Sequence, residues 1–257
     1  ELAAELRVGR VLVKDESARL GLSAFKVLGA SWGVLRALSA SLGDEPAAVD
    51  LAGLRTRLRY GRSPRLVAAT DGNHGRAVAR MAALLGLSAD IFVPSGLSSQ
   101  AVSAITGEGA TVTTVDGSYD DAVRQAADAT RATGAVLVQD SGWPGYEEVP
   151  GWIAEGYATL FAELDEQLVE AGAAGVGLVA VPVGVGALAQ AAVAHYRGTH
   201  AKTAPALLAV EPAVAACVLA SLARGRLTSV PTGATVMAGL NCGTPSGVAW
   251  PYLRDGV

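Results

Sequence analysis

The sequence predicts an α/β protein built from two doubly wound open sheets of parallel strands, with helices on both faces. Three observations predict it. Six short apolar runs alternate with segments of helical spacing, the alternation that parallel strands joined by crossover helices require. A hydrophobic content of 51% over 257 residues is enough to fill a sizeable core. Two of the runs pass through glycine-containing turns, "TDGNHG" and "VGVGAL", into helical segments.

In chain order, the first helix is announced by Phe25, Leu28, Trp32 and Leu35 at helical spacing, with Ser23 as its expected N-cap and Lys26 in its first turn. Residues 41–64, "SLGDEPAAVDLAGLRTRLRYGRSP", are the least regular stretch and read as a surface connection. Strands are expected at 65–70, 89–94, 110–116, 135–140, 177–183 and 206–212. Between them "GRAVARMAALLG", "YDDAVRQAADATRATG", "WIAEGYATLFAELDEQLVEAG" and "AVAACVLASLARG" read as helices that stop near glycine or a polar turn. A further helix begins after Gly186. Ligands of such sheets sit beyond the carboxyl ends of the strands.

Composition narrows the function. A net charge of -4 with scattered acids and bases offers no basic stripe, so no nucleic-acid partner is expected. The longest apolar stretch contains Pro182, Gly184 and Gly186, which suits a strand, a turn and a helix better than a membrane span, so no membrane partner is expected either. The opening "ELAAELRVGR" has neither the apolar run nor the charge order of a secretory signal, which places the protein in the cytoplasm. Cys217 and Cys242 make neither a disulfide framework nor a zinc pattern; they read as inert buried thiols of a reducing compartment, with their mutual pairing left open and no metal expected. A start without Met and a stop at "YLRDGV" without helix cap or final strand give the expectation that one or both ends are missing.

The chain has three lysines among many arginines. Lys14, beside Asp15 and Glu16, and Lys202, in "GTHAKTAP", read as solvated charges. Lys26 is different, because a helix N-terminus and an apolar wall both disfavour its ammonium form and supply a neutral amine nucleophile, which arginine cannot become. Alone, it would read as a helix lysine with its head in water. The segment "TDGNHG" presents Asn73 and His74 at a strand end; alone, it reads as a turn capped by Asp71 and Asn73. Gly184, Val185, Gly186 and Ala187 lead into a helix whose amides can converge on a phosphate. They also match G-x-G-x-x-A, and Glu211 ends the next strand, so an NAD(P)-dependent oxidoreductase is a rival.

Together, "SAFKVLGA", "GNHG" and "GVGALA" resemble the lysine segment, asparagine loop and phosphate loop of the fold-type II pyridoxal-phosphate enzymes, although Leu28 stands where the family usually has a basic residue. The resemblance implies that Lys26 holds pyridoxal 5'-phosphate as a Schiff base, that Asn73 bonds its 3'-oxygen, and that Gly184, Val185, Gly186, Ala187 and Leu188 cradle its phosphate, with Phe25 completing the cofactor contacts. It implies a larger cofactor domain of residues 1–64 and 175–257, a smaller α/β domain of residues 65–174, and the cofactor in the cleft between them. "KDES", "ATDGNHGRAVA", "VQDSGWPGYEEVPGWIAEGYATL", "VEPAVAACVLAS" and "MAGLNCGTPS" are similar, in order, to the diaminopropionate ammonia-lyase branch. That branch implies elimination of ammonia from 2,3-diaminopropionate to give pyruvate and ammonia, a small amino acid as partner, and a homodimer. Lys26 would then be the base for the L isomer and Asp71 for the D isomer, with Asp140 at the second acidic position. It also implies that the group facing the pyridine nitrogen lies beyond Val257. A serine or threonine dehydratase-like elimination on the same scaffold, and a non-catalytic pyridoxal-phosphate-binding protein, are the remaining alternatives.

Overall fold

A computed structural model describes residues 1–43, 50–60, 63–173, 175–199, 201 and 203–257. A short α1 (Leu2–Glu5) precedes α2 (Lys26–Leu42) and α3 (Leu51–Tyr60). Then come β1 (Leu66–Ala69), α4 (Asn73–Leu85), β2 (Ala89–Pro94), α5 (Ser99–Thr106), β3 (Thr111–Val115), α6 (Tyr119–Thr133) and β4 (Val136–Leu137). The second part of the chain holds α7 (Glu148–Gly156), α8 (Ala158–Glu170), β5 (Leu178–Pro182), α9 (Ala187–Arg197), β6 (Ala206–Val210), α10 (Cys217–Arg224) and α11 (Trp250–Gly256).

All six strands pair in parallel, in two sheets: β3-β2-β1-β4 and β5-β6. The first matches a doubly wound order, with β1 next to both β2 and β4; Leu66 pairs with Ala89 on one side and Val136 on the other. Every residue of β1 is buried, as a strand covered on both faces demands. The winding reverses between the neighbouring strands β1 and β4, so a crevice opens at their carboxyl ends. The core includes Leu38, Leu66, Ile91, Ile105 and Ile153, each with no accessible surface. Each such side chain contributes roughly 1.5–3 kcal/mol by leaving water.

One crossing positions the site. A Cβ at Gly29 of α2 would stand 2.5 Å from the Tyr157 ring and 2.7 Å from the Ile153 carbonyl, and one at Gly156 would stand 2.6 Å from the Leu28 carbonyl. Only hydrogen fits there, so α2 and α7 meet backbone to backbone, one turn from Lys26.

Three local expectations change. The irregular stretch 41–64 contains α3, whose Leu54 and Leu58 are buried one turn apart; residues 44–49, 61 and 62 of it lie outside the described residues. The single helix expected through "WIAEGYATLFAELDEQLVEAG" divides at Tyr157 into α7 and α8, because this fully buried ring packs on Phe25 at 5.2 Å and turns the chain. The closing "WPYLRDG" forms α11, with Pro251 in its first turn and Leu253 buried.

Candidate active site

Lys26 is the first residue of α2. Ser23 does not cap that helix: Phe25 occupies the cap position in αR geometry, and Ser23 is exposed two residues outside it, beyond reach of the first amides. The first-turn placement of the lysine nonetheless holds. Its environment does not match the expectation of a lowered pKa. Lys26 Nζ donates to Asp140 Oδ2 at 2.7 Å, and the Asp140 side chain is 4% exposed. Burial alone lowers the lysine, but the adjacent carboxylate outweighs it and holds Lys26 well above its ordinary range. Burial works against Asp140 too, yet Lys26 keeps it well below the usual carboxylate range.

Asp140 lies in the loop after β4, and its neighbours fix it. Oδ1 accepts from the Tyr119 hydroxyl at 3.2 Å and from Gln139 Nε2 at 3.3 Å. Gln139 also donates to the Tyr119 oxygen at 2.7 Å, while its Oε1 accepts the Ala69 amide at 2.9 Å, tying the network to the end of β1. His74 is 2% exposed; its Nε2 stands 2.8 Å from the Val138 carbonyl, so Nε2 carries the proton and Nδ1 is bare. That Nδ1 has no hydrogen-bond partner and lies 4.0 Å from Asp140 Oδ2.

The loop after β1 is organised by Thr70, whose buried Oγ1 accepts the amides of Gly72 and Gly75, each at 2.9 Å. The side chain that meets a first-turn amide of α4 is therefore Thr70, and the N-cap position is held by Gly72, so the plain reading of "TDGNHG" as a turn capped by Asp71 and Asn73 does not describe it. Asp71 instead faces the cavity. Burial pushes its carboxyl up to about 6, against the pull of Lys26.

Across the same cavity runs the glycine loop after β5. Gly186 has φ +102°, a conformation open to glycine, and a Cβ there would stand 2.8 Å from Leu253 Cδ1. A Cβ at Gly184 would lie 3.1 Å from Cys242 Sγ. The loop feeds α9, whose first-turn amides have no partners within the helix and whose dipole favours an anion. Lys26, Phe25, Asp71, Asn73 and Asp140 line one cavity together with Gly184, Val185, Gly186, Ala187 and Leu188.

This donor set fits an aromatic aldehyde that carries a phosphate. It offers an amine for a carbonyl carbon, a two-glycine loop leading into the first amides of α9 for a dianion, and the Phe25 ring beside the amine, 5.6 Å from Nζ to centroid. His74, which also lines the cavity, keeps a buried Nδ1 without a hydrogen-bond partner.

Other candidates find structural employment. The Glu211 carboxylate accepts the Val218 and Leu219 amides at 2.8 and 2.9 Å, so it caps α10 and is committed away from any ribose. Lys14 is not a solvated charge: it pairs with Glu163 at 2.9 Å and Glu16 at 3.3 Å and is 13% exposed. Lys202 lies outside the described residues. Cys217 and Cys242 are free and buried. Sequence reasoning missed Tyr119, Gln139, Thr70 and Tyr157. Gln139 had a signal, since an amide inside an apolar strand needs a buried partner.

The family model "Pyridoxal-phosphate dependent enzyme" matches residues 1–257. The diaminopropionate ammonia-lyase of Salmonella typhimurium is 40% identical over 99% of this chain and 64% of its own length. Two crystal structures of the Escherichia coli diaminopropionate ammonia-lyase superpose over the whole chain. The complex with D-serine gives a TM-score of 0.90 at 35% identity and 64% coverage of that protein. The complex with an aminoacrylate-PLP azomethine reaction intermediate gives 0.87 at 35% identity and 63% coverage. The chain thus spans about 64% of the length of these relatives. With an amine, two carboxylates and a glycine cradle gathered on one cavity and a family match running from first residue to last, the chain belongs to the pyridoxal-phosphate dependent enzymes.

Proposed function

We propose that the protein eliminates ammonia from 2,3-diaminopropionate, giving pyruvate and a second ammonia with uptake of one water. The observation that carries this reading is the convergence of Lys26, Asp71, Asp140 and residues 184–188 on a single cavity. Lys26 is the attachment point for pyridoxal phosphate; Gly184, Val185, Gly186, Ala187 and Leu188 hold its phosphate, and Phe25 and Asn73 border its ring. When bound, the cofactor supplies a sink for the negative charge that develops at a substrate's Cα.

Everything else falls to the chain. Lys26 Nζ, once its amine is released, is the base that takes the Cα proton of the L isomer. Asp71, pushed up to about 6, exchanges a proton readily near neutral pH and is the base for the D isomer. The two carboxylates suit a substrate with two ammonium groups, and the substrate's β-nitrogen leaves as ammonia after protonation by Asp71 or the lysine. Asp140 holds the lysine in place between turnovers. The relatives' names support the substrate class: those proteins are called diaminopropionate ammonia-lyases, and the D-serine complex shows that the E. coli enzyme accommodates a small amino acid.

The same reading takes residues 1–64 and 175–257 as the larger domain and 65–174 as the smaller, with α7 and α8 of the latter docked on α2 and α9. It takes the assembly as a cytoplasmic homodimer; two free buried cysteines suit a reducing compartment. Among the described residues no helix is long and apolar enough to cross a membrane.

The deciding experiment is a visible spectrum of purified protein before and after diaminopropionate, with keto acid and ammonia measured in parallel for diaminopropionate, serine and threonine. A chromophore that changes with diaminopropionate, and is absent in Lys26→Ala, is expected. Equal spectra for wild type and Lys26→Ala would remove the attachment role, and faster release from serine or threonine would move the assignment to a dehydratase.

A further inference from the structure

Asp140 Oδ2 faces two nitrogens from two elements. One is Lys26 Nζ, from α2, at 2.7 Å; the other is the bare Nδ1 of His74, from α4, at 4.0 Å. Asp140 and His74 are 4% and 2% exposed, so neither can exchange its partner for water. A buried carboxylate left without a cation is strongly disfavoured. Yet the proposed use of Lys26 as a base requires a neutral amine, so the proton that made it a cation for Asp140 is absent at that stage of each cycle. Something must answer that loss of charge.

We propose that His74 is the positioning residue that answers it: when Lys26 no longer presents an ammonium to Asp140, His74 Nδ1 takes one proton from solvent and becomes the carboxylate's new partner. The ring is prepared for this. Its Nε2–H is pinned by the Val138 carbonyl, which fixes the tautomer and leaves the bare Nδ1 4.0 Å from Asp140 Oδ2. The Nδ1 atom is buried and unpartnered, an arrangement that leaves a hydrogen bond unmade until a proton arrives. The groups facing the ring are Asp140, from the loop after β4, and Lys26, from α2, with Asp71 lining the same cavity from the loop before α4. Burial and Lys26 hold the imidazole neutral while the lysine is charged, and Asp140 pulls the other way. Loss of the lysine charge leaves Asp140 unopposed. An O–H bond of a solvent hydronium breaks as the Nδ1–H bond forms, and the imidazole takes the proton in preference to Asp140, whose Oδ1 accepts from the Tyr119 hydroxyl and from Gln139 Nε2, bonds that favour its carboxylate form. The catalytic significance rests on the reading that pyridoxal phosphate is attached at Lys26; the coupling itself does not.

The test is long-range proton–nitrogen correlation NMR on the full chain labelled with ¹⁵N-histidine, the His74 signals being identified by their loss in His74→Gln. In cofactor-free wild type, His74 is neutral and protonated on Nε2 at neutral pH. In Lys26→Met both ring nitrogens carry protons, the proton affinity of the Asp140–His74 pair rising by at least about 100-fold. Lys26→Arg, which keeps the cation, leaves His74 neutral, and Lys26→Met combined with Asp140→Asn abolishes the uptake. Lys26→Gln, which is likewise uncharged, gives the same His74 signature and serves as the second measurement where Lys26→Met folds poorly. An unchanged His74 signal in Lys26→Met, a proton found on Asp140 with Nδ1 still bare, or a His74 already charged in wild type would each overturn the proposal.

Discussion

Replacing Asp71 by Asn should stabilise the cofactor-free protein, by an amount that depends on pH in a stated direction. Burial raises the Asp71 pKa from 3.8 to about 6, a shift of roughly two units, each corresponding to about 1.36 kcal/mol. The full shift converts to about 3 kcal/mol; Asp71 retains some solvent contact, so roughly 1.5–3 kcal/mol is the expected range. The sign follows from linkage. An acid whose folded pKa is raised contributes its full stability below its unfolded pKa and loses it as the pH rises through the folded value. Asn is neutral throughout, so the two proteins converge near about pH 4 and separate by about pH 8, with the variant on top. For a chain of this size the gap corresponds to a Tm increase of roughly 3–12 °C at the higher pH. Thermal denaturation across that range measures it directly. A variant equally stabilised at both ends, or less stable than wild type at the upper end, would refute the claim that a buried, charge-penalised carboxyl sits at position 71. Turnover of D-diaminopropionate should fall in the same variant, so stability and activity move in opposite directions.

Three further outcomes follow from the geometry. Gly186→Ala places a side chain at φ +102° and a Cβ 2.8 Å from Leu253 Cδ1, and should cost roughly 1–3 kcal/mol in chemical denaturation while weakening retention of pyridoxal phosphate on gel filtration. Thr70→Val keeps the shape but orphans the Gly72 and Gly75 amides; a loss of about 1–3 kcal/mol is expected, with faster hydrogen exchange confined to the start of α4. Asp140→Asn removes one partner of a buried ion pair and should destabilise by about 3–5 kcal/mol at neutral pH. Since Asp140 is held below its usual range, its contribution is present above the unfolded carboxylate pKa and lost as pH falls, so the penalty should vanish in acid melts.

Strand β1 was legible because a parallel strand covered on both faces is a short apolar run, as in "RLVAAT", and β2 because "ADIFVP" is a short β-branched and aromatic run whose buried and half-buried positions alternate. The lysine, the "TDGNHG" loop and the glycine loop were legible because strand ends project their following loops into a common crevice. Lys26's charge state was not, since its partner lies 114 residues away and a local reading sees only the dipole and the apolar wall. Tyr157 behaved similarly: it continues a helical pattern in sequence, and the tightening to i→i+3 hydrogen bonds around it, at a ring buried against Phe25, leaves no local signal. The residues 51–60 were hidden by their charge, because two buried leucines among three arginines are too few to make a convincing apolar stripe.

The contact of α2 with α7 through Gly29 and Gly156 has a consequence for how such a protein can diverge. Where main chain rests on main chain there are no rotamers to readjust, so the position of the amine is inherited as rigidly as the helix pair itself. Mutation can therefore reshape the loops that greet a substrate far more freely than it can relocate the nitrogen that handles it.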